Sequence, residues 1–496
     1  MFKKIKQFLF HNTDTRQTVA KNSFWLTVSN FGGRAIKAAI IIYAARALGT
    51  ADYGVFSYAV TLAGFMGLFM DPGVNAVLTR DIGKSSEKDR SAIFSTVLAI
   101  KLCLIAGGVA IIIFIGPYFS TLPGATVLLP IVAFILMFDT LREFFMSLFR
   151  GLEKMEWEAG IYLFTNLAIV IFGFLFILHN PTAASLSWGY AIGTIIGAIA
   201  AMVAIRKYLA KFFSDFSLRL IRPIIQTAWP FAIVSVLGLF FTNTDILIIS
   251  WMRTASDVGI YSAAIRIIQV LYLVPGILQF STLPLFARLA GHDDKKFRAA
   301  LERTLSLLFM ISIPLVVGGI VLGTQIMTFI FGNAFAPGGP SLKLLLATII
   351  VDYPGALIAN AIFTYGKQKS LIFTSAVGGT ANVLFDLLLI PRFGITGSAV
   401  ATLIAQTLAN GYLWYVMKKL NYFTVLPHLK KIGAAAALMS LATIALLMWH
   451  VNVLVNVLIS TGIYFAVLRV LREPVLIEIK AIIPFGKKSP AEPGIA

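Results

Sequence analysis

The chain has 496 residues, of which 58% are hydrophobic and only 13% are charged, and its mean hydropathy is +0.87. A soluble domain carries about 25% charged residues, so this composition excludes an ordinary soluble protein and indicates a multi-pass membrane protein. The formal net charge of +19 would also suit a nucleic-acid binder. However, the basic residues are spread over alternate loops and are not clustered with aromatic residues, so we expect no nucleic-acid partner.

The chain opens with MFKKIKQFLF, which places Phe2, Ile5 and Leu9 on one face of a helix with lysines opposite. Such a short amphipathic helix is typical of a segment that lies on a membrane surface. We therefore assign residues 1–20 to a cytoplasmic interfacial segment.

Fourteen apolar stretches follow, and each is long enough to cross a bilayer. A span needs roughly 20 apolar residues, because in hydrocarbon every backbone polar group must be satisfied within its own helix. The sequence thus predicts an all-α polytopic membrane protein with about fourteen transmembrane helices. They are expected near residues 22–46, 53–78, 91–116, 122–149, 158–178, 184–206, 228–251, 258–281, 301–323, 341–364, 370–390, 395–417, 431–450 and 453–471.

The positive charges alternate from loop to loop. The N-terminal segment, the even-numbered loops and the tail 473–496 are rich in lysine and arginine, whereas the odd-numbered loops contribute Arg46, Arg253 and Arg392. Cytoplasmic loops carry the excess of basic residues. The pattern predicts a plasma (inner) membrane protein with both termini in the cytoplasm, and this agrees with an even number of spans.

One phrase occurs twice, as LGTADYGVFSYA at 48–59 and RTASDVGIYSAA at 253–264. The copies lie six spans apart, so they have the same orientation and indicate parallel repeats. Small residues at matching places in spans six and twelve support the duplication, and we interpret them as packing seams. We predict two parallel six-helix lobes, at 21–213 and 214–420, with a linker opening the second lobe. The lobes enclose a central cleft, and residues 421–472 add spans thirteen and fourteen.

Arg34 is the charge that most needs an explanation. It lies midway along the first span, and a charge at the bilayer centre costs at least about 2.5 kcal/mol. Asn30, Arg34 and Lys37 share one helix face by their spacing. This stripe suits a cationic site for an anionic substrate, while the alternative is a structural ion pair between Arg34 and Asp71.

Other charges within spans raise the same choice between structure and function. Counting outward from the turns places Arg266 level with Asp245, and Lys101 level with Asp139, so each could form an ion pair. Asp352 precedes Pro354, which indicates either a proton or cation site or a plain helix kink. Asp386, with Asn382 one turn earlier, is a weaker candidate of the same kind.

Catalytic motifs are not recognisable in the sequence. The five histidines are scattered without metal-ligand spacing, there is no phosphate-binding loop, and Cys103 is the sole cysteine. We therefore expect no enzymatic activity, no cofactor and no metal.

Several stretches in order resemble the Wzx-like polysaccharide exporters of the multidrug/oligosaccharidyl-lipid/polysaccharide flippase superfamily. They cover roughly residues 20 to 420 and include ARALGTADYGVFSYA, MDPGVNAVLTRDIG, TLPLFARLA, FIFGNAF and PRFGITGSAVAT. The resemblance implies that the chain translocates a lipid-linked oligosaccharide, on a polyprenyl diphosphate carrier, by alternating access for surface polysaccharide biosynthesis.

The resemblance also implies cationic residues in a central cavity. Arg34 and Arg266 match that role here, and Lys37 and Lys101 match it less well. The expected partners are the lipid-linked glycan and membrane lipids, with a glycan polymerase or ligase as a further candidate, and we expect the chain to act as a monomer. The alternatives are a cation/drug antiporter, which relies on acidic cavity groups, and a non-transporting membrane component of glycan assembly.

Overall fold

A computed structural model describes residues 15–473 of the chain, and this part of the chain is helical without a β-strand. The interfacial prediction for residues 1–20 and the tail prediction lie largely outside the described residues. The α-helices in chain order are α1 (Thr15–Gly67), α2 (Val74–Lys84), α3 (Glu87–Ala110), α4 (Gly116–Phe119), α5 (Pro123–Gly151), α6 (Met155–His179), α7 (Ala183–Ala204), α8 (Arg206–Leu209), α9 (Ile221–Met252), α10 (Ala255–Leu271), α11 (Leu273–Leu289), α12 (Asp294–Phe331), α13 (Gly339–Thr364), α14 (Gln368–Leu420), α15 (Leu426–Met448) and α16 (Val453–Val470).

The predicted all-α, multi-pass fold is confirmed. Within the described residues, eleven helices are long and apolar enough to cross a membrane. Two of them, α1 and α14, are 53 residues long. The helix α14 contains two predicted spans, and α1 contains the first predicted span and the beginning of the second. The backbone leaves helical geometry at Gly49 (φ 75°) and at Gly394 (φ 59°), where glycine tolerates a positive φ. The number of helices that cross the membrane stays a prediction.

Three predicted spans are not the continuous α-helices that we expected. The second span is broken at residues 68–73, the third passes through a π-helical turn at Ile111–Ile115, and the eighth is interrupted at Tyr272. The break in the second span follows from Asp71-Pro72-Gly73, a turn sequence in which Gly73 adopts a φ of 86°. Hydropathy does not detect such a break, because the residues on both sides are apolar.

The chain forms two compact units. One comprises the described residues up to Leu273 together with Met327–Ser341 and Ser375–Ala405, and the other comprises Val274–Ile326, Leu342–Thr374 and the described residues from Gln406 onward. The first unit therefore contains helices from both halves of the duplicated sequence. The lobe boundaries at 213/214 and 420 stay a prediction.

Within the first unit, α1 and α10 cross where the two repeated phrases meet. A Cβ atom on Gly54 would collide with the carbonyl oxygen of Ala255, and a Cβ atom on Gly259 would collide with that of Thr50. Thr50 and Ala255 occupy the same place in the two phrases, as do Gly54 and Gly259, so each contact is the counterpart of the other. Such reciprocal contacts are the mark of two-fold symmetry. We call this contact the glycine crossing; the Ser256 hydroxyl donates a hydrogen bond to Thr50 Oγ1 across it, over 2.7 Å.

Candidate functional site

The helices that cross at the glycines also carry three of the four cations predicted to bind substrate, Arg34 and Lys37 on α1 and Arg266 on α10. Lys37 lies twelve residues before the kink at Gly49, and Arg266 lies eleven residues after the first residue of α10, Ala255. At 1.5 Å per residue, both lie roughly 17 Å along their helices from the same end of the unit. The two cations, one from each copy of the repeat, therefore lie at the same depth.

A capping box fixes where α10 begins and thus the depth of Arg266. Thr254 Oγ1 accepts a hydrogen bond from the backbone N–H of Asp257, and Asp257 Oδ2 accepts one from the backbone N–H of Thr254, both over 3.2 Å. These bonds satisfy two donors that a helix start would otherwise leave free.

Lys37 and Arg266 are both half-buried. The Lys37 ammonium lies 5.1 Å from the centroid of the buried Tyr190 ring, a cation–π contact. Arg266 donates a hydrogen bond to Gln269 Oε1 over 2.9 Å. A neutral amide leaves the charge of Arg266 uncompensated, so the guanidinium can still bind an anion.

Arg142 completes a group of three cations, which we call the cationic cluster. Lys37 lies within electrostatic range of both Arg266 and Arg142, and also of the carboxylate of Asp139. The cluster joins α1, α5 and α10 in the first unit. Arg142 is already paired with Asp139 and Glu143. The charges available to an anion are therefore those of Lys37 and Arg266, whose mutual repulsion falls when a negative group binds.

Arg34 is exposed and makes no hydrogen bond or ion pair with any residue that the structure describes. The alternative in which Arg34 pairs with Asp71 is wrong. Asp71 instead faces Lys101, whose Nζ lies 3.4 Å from Asp71 Oδ1 and whose side chain is fully buried. Arg34 remains a candidate for substrate binding, whereas Lys101 lies behind a carboxylate.

The expected pair of Lys101 with Asp139 is also wrong. Asp139 accepts a hydrogen bond from Arg142 over 2.7 Å, and Glu143 accepts from the same guanidinium over 3.1 Å. Asp139 and Arg142 are separated by three residues on α5, so they share a helix face. That local spacing was the sequence signal for the observed pair.

Asp245 does not pair with Arg266, contrary to the third expected ion pair. Tyr261 Oη and Thr402 Oγ1 donate hydrogen bonds to Asp245 Oδ2, over 2.7 and 3.0 Å. A second carboxylate, Asp386, is fully buried and close enough to Asp245 to interact with it electrostatically. Neither Asp386 oxygen forms a hydrogen bond with a described residue. We call Asp245 and Asp386 the acidic pair.

The acidic pair brings together two residues that the sequence analysis treated as separate candidates. Asn382 and Ser398 contribute two further oxygens that lack a hydrogen bond among the described residues, Asn382 Oδ1 and Ser398 Oγ. Two buried carboxylates cannot both stay charged without a compensating cation. The pair can therefore hold a proton or a small cation.

The second unit contains the last predicted acid, Asp352. Asn410 Nδ2 donates a hydrogen bond to Asp352 Oδ1 over 2.9 Å, and α13 continues through Pro354. In the described residues, no group of three or more histidine, cysteine or acidic side chains could hold a metal ion.

Comparison with known proteins agrees with this architecture. The family model described as "Polysaccharide biosynthesis protein" matches residues 19–290. The chain is 22% identical over 391 residues to the "Probable low-salt glycan biosynthesis flippase Agl15" of Haloferax volcanii, covering 78% of this chain and 81% of that protein. It is 21% identical to the "Capsular polysaccharide biosynthesis protein CapF" of Staphylococcus aureus, covering 81% of this chain and 100% of that protein.

Among solved structures, the fold is similar to that of the lipid II flippase MurJ in an inward closed conformation. The TM-score is 0.75 at 19% sequence identity, and the match covers 90% of this chain and 99% of MurJ. The chain therefore has the MurJ-like fold.

Proposed function

Since the chain belongs to the family of polysaccharide biosynthesis proteins, whose model matches residues 19–290, we propose that it is a flippase for a lipid-linked oligosaccharide. It moves the glycan, attached to a polyprenyl diphosphate, from the cytoplasmic to the outer leaflet by alternating access, and supplies surface polysaccharide biosynthesis. Two relatives named as a glycan biosynthesis flippase and a capsular polysaccharide protein support this assignment.

The cationic cluster is the observation that carries the proposal. A diphosphate entering a low-dielectric space needs cationic partners, and arginine can bind phosphate oxygens through two parallel hydrogen bonds. Lys37 and Arg266 are half-buried and come from the two copies of the repeat. They are the primary diphosphate contacts. The exposed Arg34 adds a further contact from α1. Lys101 does not contact the diphosphate directly, and it contributes positive charge from behind Asp71.

The same cluster argues against the cation/drug antiporter alternative. Cationic drugs need acidic groups that are free to pair with them, whereas the charges on α1 facing this space are basic. The acidic pair is fully buried, so it is too enclosed to reach a drug-sized cation. It suits instead a coupling proton or small cation that drives transport.

The loop charges support the orientation of the chain. With the basic loops in the cytoplasm, the glycine crossing lies toward the outer side of the inner membrane and both termini are cytoplasmic. A reporter fused after residue 490 should report a cytoplasmic location, and an external location would contradict the proposed orientation.

The protein acts as a monomer, which light scattering of the purified protein can test. A glycan polymerase or ligase is its candidate partner.

Export in a flippase-deficient host that makes a matching glycan tests the proposal. The wild type should restore surface glycan and give no resistance to cationic dyes. Arg266→Ala and Lys37→Ala should abolish export at normal membrane abundance. Arg392→Ala, which removes an exposed arginine elsewhere in the same unit, is the control and should export normally. Dye efflux without glycan export would support the antiporter instead.

A further inference from the structure

The break in the second predicted span opens onto a cavity in the first unit. After α1 ends at Gly67, a 3-10 turn covers Leu68–Met70 and α2 begins at Val74. Irregular backbone at membrane depth is tolerated only where it is buried in protein or lines a cavity. The break therefore points to a site, and Asp71 within it and Asn75 just after it line the cavity.

The cavity has a volume of about 460 Å³, within the usual range for small-molecule sites. Its walls also include Asp139, Thr140, Glu143 and Arg150 of α5, and Phe231 of α9. The lining thus combines three carboxylates and one guanidinium with amide and hydroxyl groups and one aromatic ring.

Each cavity carboxylate is neutralised by a cation on its far side. Arg142 contacts both Asp139 and Glu143, and Lys101 contacts Asp71. The side chains of Lys101 and Arg142 are 0% and 4% exposed, whereas that of Asp139 is 43% exposed. Lys101 and Arg142 therefore lie behind the wall, whereas Arg150, which pairs with Glu143, is part of the lining.

This arrangement favours a neutral ligand rich in hydroxyl groups. The charges of the three carboxylates are balanced by those of Lys101, Arg142 and Arg150, so neither a diphosphate nor a cation would find an uncompensated opposite charge. Paired carboxylates still accept strong hydrogen bonds from hydroxyl groups. The exposed ring of Phe231 provides an apolar face against which the C–H face of a sugar ring can pack.

Building on the proposed function, we propose that this cavity binds the sugar residue attached directly to the diphosphate. Asp139 lines the cavity and also lies within electrostatic range of Lys37. The cavity is therefore adjacent to the cationic cluster. A diphosphate at the cluster places its first sugar at this cavity, so the protein senses that a glycan is present on the carrier.

Binding to the full-length protein in lipid nanodiscs tests this proposal. The probes are farnesyl diphosphate and the same lipid diphosphate carrying one glucose, galactose or N-acetylglucosamine. The wild type should bind at least one sugar-bearing probe about tenfold more tightly than the sugar-free probe, the scale of one hydrogen bond to a charged group. Asp139→Asn should lose this preference but bind farnesyl diphosphate at least as tightly as the wild type, because a negative charge near Lys37 is removed.

Two further variants keep the result interpretable. Thr140→Val removes a hydroxyl from the same wall at nearly constant volume and should also reduce the sugar preference. Asp81→Asn in α2 changes a carboxylate that pairs with Arg80 outside the cavity, and it should keep the wild-type preference.

The outcomes separate the two proposals. If the wild type binds farnesyl diphosphate but shows no preference for any sugar-bearing probe, the sugar site is overturned and the proposed function stands. If it binds none of the probes, the proposed function fails. If Asp139→Asn instead loses binding of a cationic dye while the sugar preference persists, the cavity is a cation site and the sugar assignment is overturned.

Discussion

The glycine crossing and the cationic cluster lie on the same two helices but are packed in opposite ways. At the crossing, Gly54 and Gly259 bring backbone against backbone, so that not even a methyl group fits. Seven residues further along α10, roughly 10 Å away, Arg266 is only half-buried and faces the other cations. The unit is thus closely packed at the crossing and polar at mid-depth.

The acidic pair contacts α10 between these two regions. Tyr261, which donates to Asp245, follows Gly259 by two residues and precedes Arg266 by five on α10. A cation bound at the pair changes the charge that Tyr261 faces, and so it can influence both the crossing and the cluster. Under the proposed function, we infer that the crossing must open before a diphosphate bound at the cluster can reach the other side.

Locking the crossing should have the largest effect. Thr50→Cys with Ser256→Cys, in a Cys103→Ser background because Cys103 is exposed, replaces two hydroxyls that lie 2.7 Å apart. Oxidation should stop glycan export completely, and a reducing agent should restore it. Each single cysteine variant serves as the control. Full export by the oxidised, cross-linked protein would show that the crossing need not open.

Neutralising the acidic pair should have the next largest effect. Asp386→Asn removes a buried carboxylate, so export should fall at least about tenfold, equivalent to about 1.4 kcal/mol, and should no longer respond to sodium or proton gradients. Thermal stability should stay equal or rise, because the repulsion between two buried carboxyl groups is removed. Export by vesicles under imposed gradients measures the first effect, and thermal unfolding measures the second. Wild-type gradient dependence in Asp386→Asn would exclude the pair as the coupling site.

Arg34→Ala should have the smallest effect of the three. Arg34 is exposed and has no partner among the described residues, and exposed charge pairs contribute about 0.2–1 kcal/mol. Export should therefore fall by about two- to fivefold, well short of the loss expected for Arg266→Ala. A complete loss at normal abundance would place Arg34 within the cationic cluster.

Much of the fold could be predicted from the sequence, because the signal for each span is local. All fourteen predicted stretches fall on helices, since about 20 consecutive apolar residues identify a span without reference to the rest of the chain. The break at 68–73 was missed although Asp71-Pro72-Gly73 is a turn sequence. The mean hydropathy of the whole span is high, so hydropathy alone did not reveal the break.

The partners of the charged residues were harder to predict. Depth along a helix can be counted from the sequence, but the rotation of one helix relative to its neighbour cannot. Lys101 was therefore matched with Asp139, whereas it faces Asp71. The acidic pair joins residues 141 positions apart, and no local pattern connects them. In the cationic cluster, Arg266 was a leading candidate from the sequence and Lys37 a secondary one, while Arg142 was not proposed. Arg34, the other leading candidate, is exposed on α1. The role of these residues stays a prediction.

The affinity of the purified protein for farnesyl diphosphate tests the central claim most directly. Arg266→Ala and Lys37→Ala should each weaken binding at least about tenfold, because each loses a charge-assisted contact. Arg266→Lys should recover part of the lost affinity, since the lysine ammonium keeps the positive charge but cannot bind two phosphate oxygens as the planar guanidinium can. The control Arg392→Ala should bind as the wild type does. Unchanged affinity in both Arg266→Ala and Lys37→Ala would contradict the assignment of the cationic cluster as the diphosphate site.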